Sequence, residues 1–285
     1  MKLIEPERIL KKLELKEFPQ PDLIRLKHPV LLCHGYGVMA SIVKPSPMNE
    51  ACMQLRSYGI AAFAPNIVPY ASIQTRAKEW HRKIDKLCDQ YGFEQFNVIA
   101  HSMAGLDMRY ALHQEGLHDR VASLTTLATP HKGTSLAELI LKTPERLQEV
   151  LGDAFNWFGN SVYPKSKSDA VGALRQLTRS WLTEQFNPEH PDLNGVAYFS
   201  YSGAVGKGTD HPLAAIYRYQ NNHIFEEEGV NDAFVSRESA MHGEHLATVP
   251  LSHLEQLGLS VSKERKILFE RFWQEAARTL KERGF

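Results

Sequence analysis

Short apolar runs separated by helical patterns organise most of this chain. Pro29 to Cys33 (Pro-Val-Leu-Leu-Cys) is apolar and stops at His34-Gly35, which predicts a strand buried on both faces. Residues 47–58 read as a helix, and Ile60 to Phe63 gives a second apolar run before Pro65. From Ala77, the positions Trp80, Ile84, Leu87, Cys88 and Tyr91 recur at helical spacing until Gly92, a residue that ends helices. Phe96 to Ala100 predicts a third strand, residues 103–114 a helix, Val121 to Leu127 a fourth strand and Val196 to Tyr201 a fifth. Ile267, Leu268, Phe272, Ala276 and Leu280 mark a closing amphipathic helix. Strand alternating with helix is the rhythm of a mostly parallel sheet with helices on both faces, an α/β fold.

The rhythm breaks between Gly133 and Asp192, where helical stretches occur without a convincing strand. Connections in α/β units are usually about 2–6 residues long, and insertions far above that are commonly functional. The expectation is one domain over 1–285 with a helical cap or lid inserted at 134–192; the alternative is a peripheral helical subdomain. Leu136, Leu139 and Ile140 form one apolar group in it, and Phe155, Trp157 and Phe158 another. The second group suits either an apolar cleft or lipid surface, or the insertion's own small core.

Composition narrows the function classes. Lys plus Arg and Asp plus Glu number 33 each, so the formal net charge is zero, which gives no electrostatic reason to expect nucleic acid as a partner. The 285 residues, 43% of them hydrophobic, suffice for a large core. Cys33, Cys52 and Cys88 are an odd, widely spaced set and read as small buried hydrophobes. Residues 1–28 alternate charges instead of offering the apolar stretch of a signal peptide, and no run is long enough for a transmembrane helix. A soluble, cytoplasmic protein is expected.

The strongest chemical signal is Ala100-His101-Ser102-Met103-Ala104-Gly105, set between a predicted strand and a predicted helix. A serine there sits on a sharp strand-to-helix turn with its hydroxyl at the carboxyl edge of the sheet. The turn needs small residues two before and two after the serine, and alanine stands at both places where glycine is usual. The structural alternative is an ordinary helix-capping serine. The second signal is His34-Gly35-Tyr36-Gly37 after the first strand, where two glycines allow the backbone to present an N–H toward the nucleophile. The backbone N–H groups of Tyr36 and Met103 are therefore the expected oxyanion donors, each worth about 3–4 kcal/mol in acyl transfer. His34 and His101 read as structural histidines.

These two motifs resemble the bacterial triacylglycerol lipases. So do Leu106-Asp107 with Arg109-Tyr110, Thr129-Pro130-His131-Lys132-Gly133-Thr134, Phe186-Asn187, Tyr201-Ser202-Gly203 and Gly229-Val230-Asn231-Asp232-Ala233-Phe234-Val235. The likeness is scattered in order from about residue 29 to residue 260. It implies the α/β-hydrolase fold and a serine hydrolase of carboxylic esters, with a small-molecule ester or lipid substrate and transient contact with a lipid surface. It also implies the rest of the triad: Asp232 as the acid, with Ala233 where the family has glycine, and His253 in Ser252-His253-Leu254-Glu255-Gln256 as the base. Asp210 is an alternative acid. His242 and His245 are alternative bases or an i, i+3 metal pair. The chemistry needs no cofactor, but the family's structural calcium would fall on Asp210 and Glu255, with glutamate in place of its aspartate. A thioesterase or acyltransferase using the same triad, and a non-catalytic binding protein of the same fold, remain open at this point.

Overall fold

The computed structural model describes residues 23–35, 46–142, 167–260 and 262–285. Six strands form one sheet: β1 (Val30–Cys33), β2 (Ala62–Phe63), β3 (Phe96–His101), β4 (Val121–Leu127), β5 (Ala197–Gly203) and β6 (Glu244–Val249). Their order is β2-β1-β3-β4-β5-β6, and every neighbouring pair is parallel. Five of these strands coincide with the predicted runs. The sixth is not signalled by hydrophobicity, because β6 pairs only with β5 and leaves Glu244, Ala247 and Thr248 exposed.

Side-chain alternation along the strands divides the core into two layers. Val30 and Leu32 pack with the helices α1 (Asn49–Ser57) and α9 (Lys263–Glu282), around the fully buried Trp273. Leu31 and Cys33 point the other way, against α2 (Ile73–Tyr91) and α3 (Ala104–Gln114), around Trp80 and Ile84. Helix α2 begins four residues before the apolar periodicity does, because Ser72 caps it by accepting a hydrogen bond from the Thr75 N–H. It ends where expected, at Gly92 in the left-handed region (φ 71°). All three cysteines are buried and free.

From β1 the chain crosses outward to β2, then returns to place β3 on the other side of β1. The crevice outside the carboxyl ends of β1 and β3 is thus the topological switch point, where open α/β sheets bind ligands. The described residues of the predicted insertion form α4 (Ser135–Lys142), α5 (Lys167–Arg175) and α6, which runs from Arg179–Trp181 through a π turn at Leu182–Phe186 to Asn187–Glu189. Leu136, Ile140, Leu174, Leu182 and Phe186 from these helices share one apolar cluster with Met103 and Leu106 at the start of α3. Phe155, Trp157 and Phe158 lie outside the described residues, so that group is not placed. Among the described residues, no helix is long and apolar enough to cross a membrane.

Candidate active site

Ser102 follows β3 directly and stands at φ 58°, a region that costs a non-glycine residue energy and persists only where the surroundings enforce it. Here they do. Its N–H donates to the Leu127 carbonyl at the end of β4 (2.9 Å), and its carbonyl accepts from the Thr129 hydroxyl (2.7 Å) and the Gly105 N–H (3.1 Å). Close packing supports the turn: a methyl group at Gly35 would lie 2.6 Å from the Ser102 Cβ, and one at Gly105 would lie 2.2 Å from the Thr129 Oγ1. Only glycine allows these approaches.

The chain brings three distant side chains together at that serine. His253 Nε2 lies 2.9 Å from the Ser102 Oγ, and His253 Nδ1 lies 2.7 Å from the Asp232 Oδ2. Nδ1 must donate to the carboxylate, which fixes the tautomer and turns the Nε2 lone pair toward the serine proton. The Phe234 and Val235 N–H groups donate to Asp232 Oδ1 at 3.0 and 2.8 Å, and the Gln256 amide donates to Oδ2 at 3.1 Å. With His253 that makes four donors on one buried carboxylate, about as many as its two oxygens can accept. The acid and histidine loops are also joined through the backbone, His253 N–H to Asp232 carbonyl (3.0 Å).

The acid loop carries its own strain. Ala233, where the resembled family has glycine, stands at φ 82°. Its N–H donates to the Asn231 side chain (2.8 Å) and its carbonyl accepts from Gln220 (2.6 Å), so hydrogen bonds on both sides hold a conformation that alanine disfavours.

Met103 caps α3, where the helical ladder claims no N–H, and the positive end of the helix dipole faces the serine. Tyr36 lies outside the described residues, so its expected N–H is not placed. The chain leading to that turn is fixed by a buried ion pair. Arg76 on α2 bonds Asp107 on α3 (2.8 Å) and the His34 carbonyl (2.6 Å), and both charged side chains are fully buried. Burial pushes Asp107 up to about 6 against the pull of Arg76. Burial, then Arg76, brings His34 down to about 3, so a neutral imidazole accepts from the Ile67 N–H through Nε2.

His101 has a part that sequence reasoning did not assign. Its side chain leaves the strand away from the serine, yet its Nε2 donates to the His253 carbonyl (3.1 Å) and the two rings lie 4.4 Å apart. Burial first, then His253, holds its pKa well below that of free imidazole. Gln256 is likewise new to the site. Neither had a sequence signal beyond lying one residue before the serine or three after the histidine.

The other candidates lie elsewhere. Asp210 is exposed on the loop after β5 and is not the carboxylate at His253. His242 bonds Asp192 (2.7 Å), whereas His245 faces Ser200 (3.3 Å), so the pair converges on no common point. Among the described residues, no group of three or more His, Cys, Asp or Glu side chains is arranged to hold a metal ion. Glu255 does not fit a calcium ligand either, because both its oxygens are taken: Oε1 by Arg265 (2.8 Å), and Oε2 by Arg265 (2.6 Å) and the Ser252 N–H (2.8 Å).

Comparison with known proteins agrees with this architecture. Residues 28–211 match the family model described as the alpha/beta hydrolase fold. A triacylglycerol lipase of Saccharomyces cerevisiae is 28% identical over 209 residues, covering 70% of this chain and 59% of that one. A triacylglycerol lipase of Pseudarthrobacter phenanthrenivorans is 30% identical over 204 residues, covering 66% and 62%. The chain thus spans about six-tenths of the length of these relatives. In three dimensions it is similar to a metagenomic carboxyl esterase (TM-score 0.69, 20% identity, 94% and 80% covered). It is also similar to the Staphylococcus hyicus lipase (TM-score 0.66, 17% identity, 92% and 97% covered). A switch-point crevice bearing a strained serine after β3, under a matching family model that spans both, places the chain in the alpha/beta hydrolase fold family.

Proposed function

We propose that this protein hydrolyses carboxylic esters through an acyl-enzyme on Ser102. The observation that carries the reading is the hydrogen-bond chain from the Ser102 hydroxyl to His253 to Asp232, at 2.9 and 2.7 Å. In the proposed mechanism, Ser102 attacks the ester carbonyl as His253 Nε2 takes its proton. Asp232 orients the ring and stabilises the imidazolium without accepting the proton. The Met103 N–H, with Tyr36 assigned as its partner from the sequence, receives the developing oxyanion. His253 then protonates the leaving alcohol, and water repeats the sequence to release the acid.

The apolar surroundings support an ester with a hydrocarbon acyl group. Met103, Leu106, Phe234 and Leu254 share one apolar cluster with side chains of α4 to α6, and we take that cluster as the lining against which a hydrocarbon chain would be bound by burial and not by charge. We assign that helical insertion the role of cap. Two relatives bear the name triacylglycerol lipase, which favours lipid esters within this class.

A fluorophosphonate probe is expected to label the wild type and not Ser102→Ala, and hydrolysis of p-nitrophenyl esters is expected to vanish in that variant. Residual turnover above a few per cent would remove Ser102 from the role of nucleophile. A series from acetate to palmitate reads the acyl preference, with long chains favoured if the apolar lining binds them.

A further inference from the structure

The loop that delivers His253 is clamped by a charge pair, and the clamp is built where the resembled lipases would carry a divalent cation. The turn runs Ser252-His253-Leu254-Glu255-Gln256. The Glu255 carboxylate receives a two-pronged guanidinium from Arg265, Nε to Oε1 at 2.8 Å and Nη2 to Oε2 at 2.6 Å. The same Oε2 accepts the N–H of Ser252, the residue before the histidine, at 2.8 Å. Burial alone would penalise the charged form of Glu255, but Arg265 and the Ser252 N–H outweigh it and hold the carboxyl below the usual range.

Arg265 lies in the first turn of α9, where a cation is opposed by the helix dipole. It is nevertheless buried there, with 8% of its side chain exposed, and its fork satisfies the carboxylate at both oxygens. Helix α9 also holds the next residue, since the Trp273 indole N–H donates to the Gln256 carbonyl (3.3 Å). Gln256 in turn donates to Asp232 (3.1 Å). The helix therefore grips both ends of the acid–base pair through one short turn.

We propose that Arg265 is a positioning residue that takes the place of a bound cation, holding Glu255 so that the Ser252 N–H sets His253 against Ser102 without a divalent metal. The proposal rests on the ester-hydrolase reading for its kinetic arm only. Stripping the wild type with EDTA and adding back millimolar calcium is expected to leave both Tm and ester turnover unchanged. Arg265→Ala, checked as folded by near-UV circular dichroism, is expected to lose about tenfold in kcat with little change in KM, since small displacements of a catalytic group cost rate steeply. Arg265→Lys keeps the charge without the fork and is expected to recover part of that loss. In NMR, the His253 Nδ1 proton shared with Asp232 is expected to shift or broaden in Arg265→Ala and return toward its wild-type signal in Arg265→Lys.

Two results would overturn the proposal: activity or Tm lost in EDTA and restored by calcium, or Arg265→Ala with a lower Tm but wild-type kcat and an unchanged His253 proton. If Arg265→Ala fails to fold, Glu255→Gln, which keeps the size and loses the charge, carries the same readouts. Should the wild type fail to hydrolyse esters, the calcium melts and the His253 resonance still decide the clamp.

Discussion

At the scale of single residues, the site is defined by how little room it leaves. Gly35 lies so close to the serine that a Cβ would sit 2.6 Å from the Ser102 Cβ and 3.0 Å from its Oγ. Gly35→Ala must therefore push the nucleophile off His253, and a displacement of that kind costs about 100-fold in kcat. Steady-state kinetics with circular dichroism checks this, and a folded variant with wild-type kcat would contradict the packing argument. Ala233 makes the opposite case. Its φ of 82° stores about 1–2 kcal/mol that glycine would not, against about 0.5–1 kcal/mol of extra freedom that glycine brings to the unfolded chain. Ala233→Gly is expected to raise Tm slightly with activity kept, and a lower Tm would mean that the Asn231 and Gln220 bonds had already removed the strain.

Among whole elements, what was legible in the sequence is what the hydrophobic pattern and local turns encode. Five strands, the helix ending at Gly92 and the strand–serine–helix turn are all local, and all stand where the pattern puts them. Asp232 and His253 were placed by resemblance, not by any periodicity. What escaped is set by distant chain. Strand β6 is polar along most of its exposed edge and exists because β5 offers it a ladder. The parts of His101, Gln256 and Arg265 depend on loops that meet only in the fold. The Arg76–Asp107 pair has the same origin and joins α2, α3 and the end of β1. Asp107→Leu leaves a buried guanidinium without its counter-charge, an imbalance worth about 3–5 kcal/mol, whereas an apolar replacement of both partners costs much less. Urea denaturation should thus find Arg76→Met/Asp107→Leu more stable than Asp107→Leu alone. Equal or greater loss in the double variant would show that the pair contributes through shape and not charge.

For the molecule as a whole, the buried imidazoles govern its response to acid. His34, held near 3, and His101 and His131, held well below 6.5, all owe their shift first to burial. Each stays neutral in the fold while its unfolded counterpart takes a proton below about pH 6.5, so each contributes stability that is present above that pH and lost on acidification. Asp107 has the opposite sign. Raised from 3.8 to about 6, it keeps a proton in the fold that the unfolded chain releases, and its contribution falls as pH rises through that window. The imidazoles outnumber it. Acidification below about pH 6.5 therefore lowers the stability on balance, through net uptake of protons on unfolding. Urea titrations from pH 7 to 4 should show the midpoint falling below pH 6. Stability that stays flat across that range would mean that water reaches these rings, and that the core around the site is looser than its hydrogen bonds imply.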